Sequence, residues 1–491
     1  MQTLLQTDQL QEARSQTALL LTRYPERPAV LRLAGWVYQR SGDFERARAL
    51  AEQECQLRPQ QPIARLRLAS YMLQTGDTEG ALQTAKTLAD SPSLPHEVLA
   101  RLARFYRHSG QHERAFQTMA RALEAQPEHA PYCLQTAQLA LKIDRLRQAD
   151  KLLERTLYLD PDCQEARYQR ALLLPPEQAP AQVQELGFLL EPLGKDDDGR
   201  RPLVLALARA LEAMGEYDHA FRCLVEAGRL SARNQPYALD ADLSLLRAAA
   251  RPVSSASALP PKPTEPGPVF ITGMPASGQR WLSRWLSAGG HSQLLPDAQL
   301  LQIAIRGAVG PHDSTQELAQ AAAAADPADI ARRYGDMVTG LGLDPDRVID
   351  ASPRHLLYLD LIRQAFPSAR MIYLKRDALD HCLDLCGRYA ARALPYSGPL
   401  DRIVRYYSAH HELMGHWRRQ LGDRFLDLEL EPLWAGDADH IGRLSGWLGL
   451  DLDATPPTPG PEDPRPGRAR HFPLALRDAA TALRENGVAL G

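Results

Sequence analysis

Small apolar positions recur along the first half of the chain at a fixed interval. Ala13, Ala47, Ala81, Ala115 and Ala149 each stand 34 residues from the next. Gly42, Gly76 and Gly110 precede three of these alanines by five residues, and Pro25, Pro59, Pro127 and Pro161 follow four of them by twelve. The pattern predicts a repeated helix-turn-helix: alanine lets two helices approach, glycine suits the turn between them, and proline ends the second helix. Two copies are looser, with Met72 at an otherwise aromatic position and Asp144 at the turn. Beyond Pro161 the phase fades through PPEQAP and GKDDDGR, then returns where Gly215 precedes Ala220 by the same five residues. One irregular unit followed by a further hairpin is expected there. Stacked units of this kind form a curved all-α solenoid whose concave face commonly holds an extended peptide; the alternative is that it props up the second half or dimerises.

The best-formed copy, Gly35-x-x-Tyr38-x-x-x-Gly42-x-x-x-x-Ala47, resembles the tetratricopeptide repeat, and the resemblance implies a protein or peptide partner. The pattern then changes character. Residues 251–267, RPVSSASALPPKPTEPG, sustain neither a helix nor a central strand, so they are read as a linker between a repeat domain over 1–250 and a second domain over 268–491.

The second domain opens with a short β-rich run, Pro268-Val-Phe-Ile-Thr, then Gly273-Met-Pro-Ala-Ser-Gly278-Gln-Arg280, then an amphipathic Trp281-Leu-Ser-Arg-Trp-Leu. Strand, glycine loop and helix in that order make a phosphate cradle, because glycines let successive N–H groups turn inward and the helix start adds its dipole. The Gly-x4-Gly spacing matches the P-loop, yet Gln279 and Arg280 stand where a nucleotide triphosphatase needs Lys and Ser/Thr.

FITGMPASG is similar to the 5′-phosphosulfate loop of sulfotransferases. Two later blocks extend the resemblance to about residue 450. One runs from Val348-Ile-Asp350-Ala-Ser-Pro353 to Phe366-Pro-Ser-Ala-Arg and Lys375-Arg376-Asp377; the other runs from Tyr406 through Leu430-Glu-Pro-Leu433 to Leu450. The resemblance, that of a bacterial repeat–sulfotransferase fusion, implies a P-loop-like α/β fold with a parallel sheet flanked by helices. It also implies 3′-phosphoadenosine 5′-phosphosulfate (PAPS) as donor. Gly273, Ser277, Gly278, Gln279 and Arg280 would then lie on the 5′-phosphosulfate, and Arg376 on the 3′-phosphate. A guanidinium fork suits bidentate phosphate binding.

The chain departs from the family pattern at several positions. The loop arginine maps to Ala276, the lysine of Asp-Lys-x-Pro to Ala351, and a serine eight residues after Arg376 to Asp384, a carboxylate where a phosphate is expected. The glutamate base of related members maps to Gln299, which cannot take a proton. Asp297 and His355 remain as candidates for the base, and Arg280 could return to the loop the charge that Ala276 removed. The proline-rich stretch from Pro456 to His471 carries Arg465, Arg468 and Arg470, read either as an anion clasp or as a plain linker to a last helix over Leu474–Asn486.

Bulk properties narrow the field. At 491 residues two or more domains are expected, and 44% apolar with 24% charged residues argues that both fold. A net charge of −3 supplies no global field for nucleic acid or an anionic membrane. The six cysteines are dispersed without a C-x-x-C pair, so no metal site is expected and the thiols are read as reduced. With no basic leader and no run of about 20 apolar residues, the cytoplasm is the default compartment. The oligomeric state stays open, a homo-oligomer included. Three functions fit: sulfate transfer from PAPS to a hydroxyl presented by the repeats, a non-catalytic recognition or scaffold protein on a degenerate sulfotransferase fold, or an enzyme whose remodelled site uses another phosphorylated ligand.

Overall fold

The computed structural model describes residues 10–490 apart from 92, 198, 235–236, 251–265, 289, 291, 296–298, 313, 388–393, 395, 453–454 and 461–462. Most of the expected linker and the candidate Asp297 therefore lie outside the described residues.

The first half is a helical solenoid. A lone helix α1 (Leu10–Arg23) leads into four hairpins: α2 (Pro28–Arg40) with α3 (Phe44–Leu57), α4 (Pro62–Gln74) with α5 (Thr78–Ala89), α6 (His96–His108) with α7 (His112–Ala125), and α8 (Ala130–Lys142) with α9 (Leu146–Leu159). The alanines of the 34-residue period are fully buried between helices. The turn glycines 42, 76, 110 and 215 adopt φ of 71°, 91°, 73° and 79°, and Asp144 adopts 59° at the equivalent turn, a conformation that Asp tolerates better than most side chains. The irregular unit is a short α10 (Gln164–Ala171) followed by α11 (Ala179–Leu190). The hairpin then returns as α12 (Arg200–Ala213) and α13 (Tyr217–Asn234), and α14 (Leu239–Ala249) packs against the second domain, beside the helix Leu400–Leu421, with Leu246 in that domain's core.

The second half is built on five parallel strands, β1 (Val269–Thr272), β2 (Gln293–Leu294), β3 (Val348–Ala351), β4 (Arg370–Lys375) and β5 (Phe425–Glu429), in the order β2-β3-β1-β4-β5. Its helices are α15 (Gln279–Ala288), α16 (Leu300–Val309), α17 (Thr315–Ala322), α18 (Pro327–Gly340), α19 (Leu359–Ala365), α20 (Ala378–Cys386), α21 (Leu400–Leu421), α22 (Leu430–Trp434), α23 (Ala438–Leu448) and α24 (Arg477–Glu485). Alternate strand residues feed two cores. Phe270, Met371 and Tyr373 pack with α16, α18, α19 and α21, whereas Ile271, Ile372 and Leu374 pack with Trp281 and Trp285 of α15 and with α23. Burial on both faces is why these strands read as continuous apolar runs. Strand β1 is flanked by β3 and β4, so the loop that follows it opens at the point where strand order reverses, the usual crevice for a ligand in such sheets.

The turns inside the first, second and fourth hairpins meet this domain, and α13 packs on it by its flank, with Gly228 against Gly398 and with Leu224 and Ala227 in one core with Leu383. A Cβ on Gly42 would lie 2.9 Å from the His312 carbonyl oxygen. Thr78 donates to the Met337 carbonyl at 2.8 Å, and Arg306 donates to Gln74 at 2.9 Å while its guanidinium lies 4.8 Å from the Phe44 ring. Asp144 pairs with Arg284, and Glu212 pairs with Arg468. On the face built from first helices, a groove between α2 and α4 is lined by Arg32, Leu33, Trp36, Gln39, Arg67 and Tyr71, with Trp36 41% exposed. Among the described residues no helix is long and apolar enough to cross a membrane.

Candidate functional site

The crevice beyond β1 is framed by the loop Gly273–Gly278, the start of α15, the N-terminal half of α20 and a strap formed by residues 464–471. Backbone constraints explain the loop glycines. A Cβ on Gly273 would fall 2.5 Å from the Leu374 carbonyl oxygen, and one on Gly278, at φ 90°, would fall 2.5 Å from Leu430 Cδ2. Ala276 adopts φ 70°, an uncommon conformation for a residue with a Cβ. The loop is pinned by its carbonyls: His381 Nε2–H donates to Pro275 at 2.8 Å, Arg376 to Ala276 at 3.3 Å, and the Gln279 amide to Gly273 at 3.4 Å. Ser277 is fully buried beneath the loop, and its hydroxyl has no hydrogen-bond partner among the described residues.

Arg376, at the end of β4, is the hub. Its side chain is 0% exposed, and Nη1 donates to Asp384 Oδ2 at 2.7 Å. Nη2 donates to the Arg465 carbonyl at 3.1 Å, and Nε lies 3.6 Å from Glu431 Oε1. Asp384, on α20, accepts from Arg468 Nη1 at 2.9 Å and from the Arg465 N–H at 3.4 Å. Arg468 continues to Glu212 of the solenoid, with Nε–H donating to Oε2 at 2.9 Å and Nη2 to Oε1; Arg465 Nη1 lies 3.1 Å from Glu212 Oε2. Glu431, Arg376, Asp384, Arg468 and Glu212 thus alternate in sign through the seam between the two halves. Burial works against the charge of Arg468, but Glu212 and Asp384 more than offset it and hold its pKa above the ordinary arginine value. The strap is threaded onto α20 by Asp380, whose carboxylate accepts from the N–H groups of Gly467 and Ala469; burial raises the pKa of this carboxyl, as it does that of Glu431.

Other sequence candidates fall elsewhere. Arg280 reaches the solenoid: its guanidinium donates to the carbonyl of Lys142, the last residue of α8, and lies 3.6 Å from Asp144 in the turn that follows. His355 is a core residue, 1% exposed, with Nε2 3.3 Å from Asp350 Oδ1 and its ring edge-to-face with Phe270 at 5.2 Å. Tyr334 donates to the other oxygen of Asp350 at 3.0 Å. Gln299 stands at φ 54° before α16, with its side chain accepting from Arg354 at 3.3 Å. Ala351 ends β3 opposite Ile271. The residues that sequence reasoning missed are Glu212, His381 and Glu431. For Glu212 the one available signal was an acid in LALARALEA, a run apolar but for Arg209 and Glu212.

Models of the tetratricopeptide repeat match residues 2–62, 32–95, 66–130 and 106–173, and a model described as sulfotransferase family matches residues 268–454. The chain joins tetratricopeptide repeats to a sulfotransferase-family domain. A curated relative, an uncharacterized protein of Aquifex aeolicus, is 22% identical over 342 residues, which are 66% of this chain and 44% of the relative. The chain thus matches less than half the length of that relative. Among solved structures, pilF of Pseudomonas aeruginosa is 19% identical, covering 44% of this chain and 95% of its own at a TM-score of 0.32. MamA from Desulfovibrio magneticus is 19% identical, with coverage of 33% and 92% and a TM-score of 0.27.

Sulfotransferases use PAPS, so the sulfotransferase-family domain invites a test of fit. As arranged, its residues do not fit that donor. The guanidinium of Arg376 is spent on the Asp384 carboxylate and on two backbone carbonyls, Ala276 brings no cation to the loop, and Arg280 is held by the solenoid. A 3′-phosphate beside Arg376 would also face Asp384 at close range, a like-charge contact that a buried setting screens poorly.

Proposed function

We propose that this protein is a non-catalytic member of the sulfotransferase family, a recognition or scaffold protein in which the second domain braces the repeats and the repeats take a protein or peptide partner. The observation that carries this reading is the pairing of Arg376 with Asp384 at 2.7 Å, which commits the family's 3′-phosphate ligand to a carboxylate of the chain itself. The groove between α2 and α4 supports the second half of the reading, because docking along the hairpin turns leaves that face uncovered. Its exposed Trp36 beside Arg32 suits a peptide carrying an apolar anchor next to an acidic residue.

Calorimetric titration with 3′-phosphoadenosine 5′-phosphate (PAP) tests the first half. No saturable heat at millimolar ligand is expected. Saturable binding that Arg376→Ala weakens would overturn the reading. Sulfate transfer keeps one observation in its favour, the glycine loop that follows β1, in which Ala276 and Gly278 adopt positive φ, and the same titration decides between them. For the second half, Trp36→Ala in the full chain should release any partner captured by the wild type while leaving the unfolding midpoint unchanged; retention of that partner would remove the groove from the argument.

A further inference from the structure

On the reading that the donor reaction is not performed, the 3′-phosphate site has acquired another use. We propose that Asp384 is a tethered replacement for the 3′-phosphate, fixed by Glu212 of the solenoid through Arg468, so that a nucleotide site has become the ionic bond between the two halves of the protein and excludes 3′-phosphorylated nucleotides.

The carboxylate of Asp384 is engaged as a bound phosphate would be. It receives Arg376 at 2.7 Å on one oxygen, Arg468 at 2.9 Å on the other, and the Arg465 N–H at 3.4 Å. All of these donors are buried or covered by the strap, and the strap is itself anchored to α20 through Asp380. Each charge in this ion-pair chain meets an opposite one without a guest. Arg376 lies between Glu431 and Asp384, and Arg468 lies between Asp384 and Glu212. Because both oxygens of Glu212 bind Arg468 and one also meets Arg465, the solenoid holds in place the two strap arginines that close the site. Hydrogen bonds to a buried charge from both sides make such a chain costly to break at any single link.

The proposal implies that removing the internal anion should create a demand for an external one. Asp384→Ser leaves Arg376 and Arg468 buried with a counterion missing, and a group that binds only the folded state raises its stability by mass action. In the full chain, the thermal midpoint of Asp384→Ser should rise by about 3 °C or more in millimolar PAP and by much less in 5′-AMP, which lacks the 3′-phosphate. The wild-type midpoint should not move with either nucleotide. Should Asp384→Ser not fold, Asp384→Asn preserves shape and one acceptor while removing the charge, and is read in the same assay. A silent wild type with all folded variants equally silent would overturn the tethered replacement and leave the non-catalytic reading standing. Saturable PAP binding by the wild type would overturn both.

Discussion

Glu212→Ala tests whether the seam depends on the solenoid. The Glu212 side chain is 6% exposed and accepts three guanidinium contacts, two from Arg468 and one from Arg465. Removing one partner of a buried ion pair costs roughly 3–5 kcal/mol, chiefly because a charge is left uncompensated. That figure is an upper bound here. Arg468 keeps Asp384 at 2.9 Å, and Arg465, 39% exposed, can turn to water, so a loss of about 2–3 kcal/mol is the reasoned value. A two-domain chain need not unfold in one step, so the appropriate measurement is local. Amide hydrogen exchange over Arg465–Ala469 reads the strap directly, since Gly467 and Ala469 donate their N–H groups to Asp380. A loss of about 2–3 kcal/mol accelerates exchange there on the order of 30- to 150-fold, while the amides of β5 on the far edge of the sheet keep their wild-type rates. Salt should change the difference little, because the pairs are shielded from solvent. Strap exchange within about twofold of wild type would refute the claim that Glu212 holds the seam.

Two further outcomes follow from the same structure. His410 is 1% exposed beside Tyr373, and burial, reinforced by His381 and His411, lowers its pKa to about 3. The unfolded state therefore takes up a proton that the folded state refuses. This contribution is intact above pH 6.5, and stability falls by up to about 1.4 kcal/mol per pH unit as pH drops from 6.5 towards 3. His410→Phe should flatten that limb of urea midpoint against pH; an unchanged slope would show that other groups set it. Gly42→Ala and Gly215→Ala share a positive φ and hence a similar backbone penalty of about 1 kcal/mol, but only at Gly42 would the new Cβ strike the second domain, 2.9 Å from His312. Gly42→Ala should thus lower the thermal midpoint more than Gly215→Ala, and equal losses would mean that the turn edge is not a close-packed contact.

What the sequence discloses depends on how far apart the cooperating residues stand. The repeats were legible because each constraint is local: an alanine that must be small, a turn that must accept positive φ, a proline that ends a helix. Even Asp144 could be assigned to its turn from spacing alone, and its φ of 59° fits the exception. The use of those turns was not legible, since a glycine needed for φ reads the same whether it faces solvent or, like Gly42, the carbonyl of His312. The phosphate loop divides in the same way. Gly273 and Gly278 are fixed by neighbours that would collide with a Cβ, so the loop's outline survives in the letters FITGMPASG. The work of its side chains is settled by partners from distant segments: Arg468 on the strap for Asp384, Glu212 on the solenoid for Arg468, and Lys142 for Arg280. Asp384 shows what this costs a linear reading. Judged against an assumed phosphate, it looks like a repulsive substitution; placed between Arg376 and Arg468, it is the anion those arginines require, and the apparent defect in the site becomes the reason the site is closed.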